Sequence, residues 1–180
     1  MATIDASYFF GPLLIAQKTD NAAGIQWLIN ELEPKLLRDI MGYELYKAYT
    51  AGVTASTQKY LDIQDGKEYS NRSGIPTKWN GIAFTYGDAK KSLIANYVYW
   101  HWMEKEASIS TGTGEKTANA QNAVTASPVS KMVRAWNDMV CMIYELCEFL
   151  LSNQTDYPEF VEQYSRIPCS LLKKQNAFGI

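Results

Sequence analysis

Apolar residues recur at helical spacing in three long segments of the chain. Residues 129–151 are the clearest, since apolar side chains return every three or four positions and charged ones fall mainly on the opposite side. Residues 20–49 follow the same spacing, with Pro34 able to start a new helix or to bend a continuing one. Residues 88–107 are rich in Tyr and Trp over a broad face. The pattern predicts a mainly α protein folded as a helical bundle.

The chain between residues 53 and 85 breaks this spacing. Short apolar–polar alternation surrounds Asp65-Gly66, a dipeptide typical of tight hairpin turns. Residues 71–76 (NRSGIP) have the composition of a loop, and Trp79 is one large anchor in the turn that follows. We therefore expect a small β-hairpin or a long loop inserted in the helical body.

Three further segments have no obvious core of their own. Residues 1–18 are apolar but irregular, which fits a strand or an arm laid on a neighbour, and residues 109–128 are polar and rich in Gly, Thr and Asn. Residues 165–180 end in apolar side chains. We expect an N-terminal arm over 1–18 and a helical domain over 19–164, with the polar arm 109–128 inserted between its helices. A C-terminal docking tail over 165–180 completes the extended termini.

The composition limits the classes of function. Hydrophobic residues make up 47% of the 180 residues, which is enough for a folded core. The net charge is −2 and the basic residues are scattered, so no nucleic-acid-binding surface is expected. No apolar run reaches the roughly 20 residues of a membrane helix, so no membrane partner is expected. Three cysteines without a secretion signal argue against a disulfide framework and for synthesis in a cytoplasm.

The candidate catalytic groups do not form a constellation. His101 is the sole histidine and lies between two tryptophans, where a packed residue with one hydrogen bond is expected rather than a catalytic or zinc-binding one. Glu104 and Glu106 lie two positions apart on a helix, so their carboxylates do not converge on a substrate. Residues 112–117 (GTGEKT) lack the spacing of a phosphate-binding loop. We expect no enzymatic activity, no cofactor and no metal.

Tyr and Trp surround the helix expected over residues 88–107, which implies that more than one of its faces is buried. Base stacking on these aromatic rings would need a basic groove, and the sequence shows none. Tyr and Trp are favoured anchors at protein interfaces. We therefore expect Trp100 and Trp102 to face another subunit.

The order of several short motifs resembles that of the head-to-tail connector (adaptor) proteins of tailed bacteriophages, most closely those of phages that infect Bacteroides-like hosts. The first motifs are an early helix that leads into residues 36–46 (LLRDIMGYELY), and the turn at 78–82 (KWNGI) before an aromatic helix. The others are the polar arm before residues 131–137 (KMVRAWN) and the terminal residues 176–180 (NAFGI). Together they cover most of the chain, and none is a catalytic signature.

This resemblance implies a mainly α-helical virion protein that forms a ring, typically of twelve copies, beneath the portal protein. Such a ring extends the DNA channel, through which DNA passes without sequence-specific binding, and it docks tail-side adaptor proteins. The implied location is the portal vertex, or neck, of the virion after assembly in the host cytoplasm. In this hypothesis residues 165–180 dock on a partner through four apolar anchors: Leu171, Leu172, Phe178 and Ile180. The alternative is a soluble helical protein–protein interaction module with no virion role.

Overall fold

The computed structural model of the chain describes residues 2–15, 19–86, 89–107, 109–111, 114–116, 129–162, 165–168 and 172–176. Within them lie five α-helices: α1 (Thr19–Met41), α2 (Tyr43–Thr54), α3 (Gln58–Asp65), α4 (Leu93–Ala107) and α5 (Val129–Ser152). Short strands form three antiparallel pairs: β1 (Lys67–Ser70) with β2 (Pro76–Trp79), β3 (Phe84–Tyr86) with β4 (Ala89–Lys91), and β5 (Ile109–Thr111) with β6 (Gly114–Lys116). The predicted fold class, mainly α with small β-hairpin insertions, is confirmed.

Helices α4 and α5 form an antiparallel pair in the core. The amide of Asn96 lies 3.9 Å from Met142 Sδ, and one turn further along α4 the Trp100 ring lies 5.8 Å from the Trp136 ring. Residue numbers rise along one helix as they fall along the other, so the two helices run in opposite directions. Buried apolar side chains on both helices fill the space around this contact: Leu93, Ile94, Val98, Val140, Ile143, Leu146 and Leu150. Each such side chain contributes about 1.5–3 kcal/mol when fully buried.

Helix α4 starts later than the sequence pattern predicted. Residues Ala89–Lys91 pair as β4 with β3 instead of forming the first turn of the helix. The Ser92 side chain then accepts a hydrogen bond from the N–H of Ile94 at 3.1 Å, as a helix-capping serine does. The expectation of a helix from residue 88 is therefore wrong by about one turn.

The first hairpin is present, but its turn is not at Asp65-Gly66. Asp65 is the last residue of α3, and Gly66 ends that helix with φ at 97°. Strands β1 and β2 are joined through residues 71–75, where the Asn71 side chain accepts hydrogen bonds from two backbone N–H groups at 3.0 and 2.9 Å. The predicted turn position is wrong because an Asp-Gly pair also suits a helix end, where glycine readily adopts positive φ.

Trp79 is the anchor that the sequence predicted. Its side chain is buried, and its indole N–H donates to the carbonyl of Ile63 in the last turn of α3 at 2.9 Å. The backbone N–H groups of Ile82 and Ala83 also donate to this end of α3, to the carbonyls of Ile63 and Gln64. The last carbonyls of a helix have no partner within the helix. The segment after β2 therefore completes α3.

The N-terminal segment packs on the body of its own chain. Residues Ala6–Tyr8 and Gly11–Leu13 form two 3₁₀ turns, and four apolar side chains of this segment are buried in the common core: Ile4, Tyr8, Phe9 and Ile15. The expectation of an arm laid on a neighbour is therefore wrong for residues 2–15. Irregular apolar spacing is compatible with packing on a core, because short 3₁₀ turns do not impose helical periodicity.

A distant segment caps the end of α1. The hydroxyl of Ser165 donates to the carbonyl of Ile40 at 2.7 Å, and the N–H of Ile167 donates to the carbonyl of Asp39 at 3.0 Å. Both carbonyls lie in the last turn of α1, where no backbone N–H of the helix is available to bond them. Residues 165–168 therefore hold the start of the C-terminal tail against the helical body.

The two cysteines of α5 differ. Cys141 is free and half-buried, whereas Cys147 is buried and disulfide-bonded. The argument against a disulfide framework therefore does not hold for Cys147. The spacing of cysteines along a sequence does not report their distance in the fold.

Candidate functional site

The aromatic residues expected to face a partner are divided between the outside and the inside of α4. Trp100 is half-buried on the outer side, where its ring lies 5.8 Å from the ring of Trp136 and 4.9 Å from that of His101. Such tilted and edge-on contacts stabilise a pair of rings by about 0.5–1.5 kcal/mol beyond burial. Trp100 keeps exposed surface, so its predicted contact with another subunit stays a prediction.

Trp102 is a core residue of its own chain. Only 6% of its surface is exposed, and its ring lies 3.2 Å from the position that a Cβ atom on Gly24 of α1 would occupy. Residues two positions apart on a helix point in different directions, so Trp100 and Trp102 cannot share one face. The assignment of Trp102 to a partner surface is corrected, because α1 already covers this side chain.

The C-terminal strap, residues 172–176, lies along the outer face of α5. The hydroxyl of Tyr144 donates to the carbonyl of Leu172, and the indole N–H of Trp136 donates to the carbonyl of Lys173 at 3.0 Å. The strap advances from Tyr144 toward Trp136, so it runs antiparallel to the helix. Of the predicted anchors, Leu172 is buried against its own chain, with only 8% of its surface exposed.

The tail was expected to dock on a partner. Over the described residues it packs instead on its own chain. A buried Leu172 is not free to anchor a partner in this conformation. The other three predicted anchors, Leu171, Phe178 and Ile180, lie outside the described residues. The tail binds its own chain because side chains on the polar face of α5 form hydrogen bonds with the backbone of the tail.

Asn137 is a residue of this site that sequence reasoning missed. Its amide donates to the carbonyl of Gln175 at 2.8 Å and accepts from the N–H of Gln175 at 2.7 Å. One side chain thereby satisfies both backbone groups of a strap residue, as a neighbouring strand would. In the sequence Asn137 falls on the polar side of α5, and nothing distinguishes it there from a solvated side chain.

A groove of about 580 Å³ lies between α5, the N-terminal segment and the β3–β4 hairpin. Aromatic and apolar side chains line part of it, among them Tyr8, Phe10 and Leu13. Four cations also line the groove, with two carboxylates: Lys90, Lys91, Lys131, Arg134, Asp138 and Glu145. Among the described residues, none of these cations has an acidic partner within 4.0 Å. The groove therefore suits a surface that combines apolar and acidic groups.

A second cavity, of about 840 Å³, lies between α1 and α2 and holds two buried polar groups. The side chain of Glu33 is 6% exposed; its Oε1 accepts from the N–H of Thr3 at 2.8 Å, and its Oε2 has no hydrogen-bond partner. The hydroxyl of Tyr49 interacts with the side chain of Thr3. Burial raises the pKa of Glu33, against the opposing effect of its bonds to Thr3, and it raises the pKa of Tyr49 to about 12.

Glu33 is expected to make stability depend on pH. Because its pKa is higher in the folded chain than in the unfolded one, its contribution to stability is fully present below the ordinary value of 4.5. That contribution is lost as the pH rises through the folded value. Glu33→Gln, which cannot ionise, should gain stability relative to the parent protein between pH 4 and pH 7 in urea unfolding. Glu31→Gln, at an exposed position of the same helix, is the matched control and should track the parent.

His101 has the packed setting that the sequence predicted. The rings of Tyr97 and Trp100 meet it edge-on, and Nδ1 lies 3.5 Å from a carboxylate oxygen of Glu104. Burial lowers the pKa of His101, and Glu104 opposes this shift only in part. In the part of the chain that the structure describes, no three His, Cys, Asp or Glu side chains gather as a metal site. This arrangement supplies packing and one polar contact.

Comparison with other proteins assigns no family. No protein-family model matches the chain, and neither a curated protein nor a solved structure is significantly similar to it. None of the described helices is long and apolar enough to cross a membrane. What the protein does must therefore be inferred from the surfaces described above.

Proposed function

We propose that this protein is a head-to-tail connector of a tailed bacteriophage. In this role its copies form a ring at the portal vertex that joins the portal to tail-side adaptor proteins and extends the DNA channel. The motif order of the sequence supports the proposal, as does the helical body. The mechanism is binding, with no chemical step.

The observation that carries the proposal is the β-ribbon at the start of the inserted arm. Strands β5 and β6 follow α4 directly, and they contact each other far more than they contact any other described element. An isolated pair of strands this short is at best marginally stable in water. Such a ribbon gains stability from a surface that pairs with it or packs on it, and a neighbouring subunit in a ring supplies one.

Exposed apolar side chains on the helical body give further support. Trp27 on α1 has 61% of its surface exposed, and Tyr43 at the start of α2 is similarly open. Trp and Tyr are over-represented among the residues that dominate binding energy at interfaces. The cationic groove beside α5 adds a surface for an acidic, partly apolar partner. A ring needs two different contact surfaces on each copy, because head-to-tail contacts are heterologous.

The test is assembly with and without the arm. The full chain, alone and mixed with the portal protein encoded with it, is examined by mass photometry and by electron microscopy at micromolar concentration. We expect rings, or rings bound to portal. A variant with residues 109–128 replaced by an eight-residue Gly/Ser linker should keep the thermal unfolding midpoint of the parent but fail to assemble.

Two results would contradict the proposal. A full chain that stays monomeric, both alone and mixed with the portal protein, would exclude the connector role under those conditions. If the linker variant assembled to the same extent as the parent protein, residues 109–128 would not be the segment that joins neighbouring copies. Trp27→Ala serves as a second probe, since it removes an exposed side chain and should weaken assembly without affecting the core.

One observation favours the alternative, a helical interaction module without a virion role. The described parts of both termini are packed on the subunit's own body through Ile4, Phe9 and Leu172. A subunit that is complete in this way needs no neighbour to fold. A strict monomer that binds a non-virion protein and ignores the portal protein would establish this alternative.

A further inference from the structure

We infer that Cys147 of α5 pairs with Cys169, and that this disulfide is a redox-controlled lock on the C-terminal strap. Cys147 is disulfide-bonded, whereas Cys141 is free. The sequence has three cysteines, so Cys169 remains as the partner of Cys147. Cys169 lies outside the described residues, and the count of cysteines, not its placement, identifies it.

The geometry of α5 excludes a bond between its own two cysteines. Cys141 and Cys147 lie six positions apart on this helix. That spacing separates their Cα atoms by about 9 Å along the helix axis. A disulfide requires Cα atoms no more than about 7 Å apart. The half-buried Cys141 therefore cannot take the place of Cys169 while α5 is intact.

The described parts of the tail lead to the same place on α5. The N–H of Ile167 donates to a carbonyl in the last turn of α1, and the carbonyl of Leu172 accepts from the hydroxyl of Tyr144. Tyr144 and Cys147 are three positions apart, so they are neighbours on the surface of α5. Because the strap runs antiparallel to α5, Cys147 lies on the side of Tyr144 from which the strap arrives.

Without the disulfide, the strap is held mainly by hydrogen bonds from three side chains of α5 and by one buried apolar side chain. Trp136, Asn137 and Tyr144 all bond to backbone atoms of the strap, and Leu172 is its buried side chain. Each such hydrogen bond adds little net stability, because water competes for the same groups. Segments held by few buried contacts open locally while the body stays folded. A covalent bond one turn from Tyr144 prevents this opening.

The lock closes by a two-electron oxidation. The two thiols lose two protons and two electrons to a small disulfide such as oxidised glutathione, which leaves as two thiols, and the bond between the two Sγ atoms forms. A dithiol reductant reverses the step. In a reducing compartment the strap is therefore able to leave α5, and in an oxidising one it stays fixed. This lock is independent of the connector role proposed above.

Peptide mapping by mass spectrometry, without reduction, tests the pairing in the full-length protein after equilibration with oxidised glutathione. We expect a linked peptide that contains Cys147 and Cys169, and an alkylated Cys141. A linked peptide that contains Cys141, or alkylation of all three cysteines, would overturn the assignment.

Hydrogen exchange followed by amide NMR tests the lock. The N–H of Gln175, which donates to Asn137, should exchange at least about tenfold faster once dithiothreitol has reduced the protein. Cys169→Ser should exchange at this faster rate with or without the reductant, whereas Cys141→Ser, the matched control, should respond as the parent does. If reduction left the exchange of Gln175 unchanged, or if Cys169→Ser still responded to the reductant, the disulfide would not control the strap.

Discussion

Replacing Phe149 by alanine is expected to lower the free energy of unfolding by about 3–5 kcal/mol. Phe149 is fully buried on α5, and its ring contacts three others, from β1, β2 and the segment after α5. The ring centroids lie 5.2 Å from Tyr69, 6.3 Å from Trp79 and 5.6 Å from Tyr157. Alanine would leave a cavity at the point where these elements meet, and rings of this size cannot collapse into it.

Urea unfolding followed by circular dichroism measures this effect. Trp27→Ala is the control: it removes a larger ring from a position that is 61% exposed, so it should change stability by no more than about 0.5 kcal/mol. A Phe149→Ala protein as stable as the control would show that the aromatic cluster does not hold the hairpin to α5.

Gly81→Ala is expected to cost about 2–4 kcal/mol. Gly81 has φ at 98°, a conformation that L side chains rarely adopt, and a Cβ atom there would lie 2.5 Å from the carbonyl oxygen of Gln64. Gly66, at the end of α3, lies against the same stretch of backbone after β2. A Cβ atom on Gly66 would lie 2.5 Å from the carbonyl oxygen of Trp79. Both obstacles are backbone atoms, which cannot turn aside as a side chain would.

Gly74→Ala separates the two causes of the lost stability, which are the positive φ and the close approach of backbone atoms. Gly74 also has positive φ, at 76°, but a Cβ atom there would meet nothing within 4 Å. It should therefore lose only the conformational part, about 1 kcal/mol. The same unfolding experiment compares the two variants. Equal losses at Gly81 and Gly74 would show that the backbones of α3 and the segment after β2 do not approach as closely as described.

Helices α1 and α5 were predictable because each buries a long apolar stripe, and periodicity reports such a stripe directly. Helix α3 was not predicted, because residues 53–85 were expected to form a hairpin or a long loop. Their boundaries were less predictable. The start of α4 depends on whether residues 89–91 pair with residues 84–86, and pairing of short strands leaves little trace in composition. Asp65-Gly66 shows the same difficulty, since one dipeptide serves a hairpin turn and a helix end equally well.

The candidate surfaces were predicted less well than the fold. Aromatic residues all round α4 correctly indicated burial on several faces, but α1 covers Trp102 where another subunit was expected. The cis contacts of the strap depend on Asn137, a side chain whose partner lies nearly forty positions away in sequence. The cavity at Glu33 was not anticipated either, because the burial of one glutamate on an amphipathic helix depends on how α2 packs.

The cap that Ser165 and Ile167 place on α1 has a consequence for how the protein is made. These residues emerge from the ribosome some 125 positions after the helix end that they complete. Until then these two carbonyls in the last turn of α1 rely on water for their hydrogen bonds, and a nascent chain that already contains α1 to α5 still lacks this closure. Contacts of such long sequence separation raise the contact order of the fold and slow the overall folding rate. The helical body is therefore completed only when the tail has been translated, which ties the maturation of the protein to completion of its synthesis.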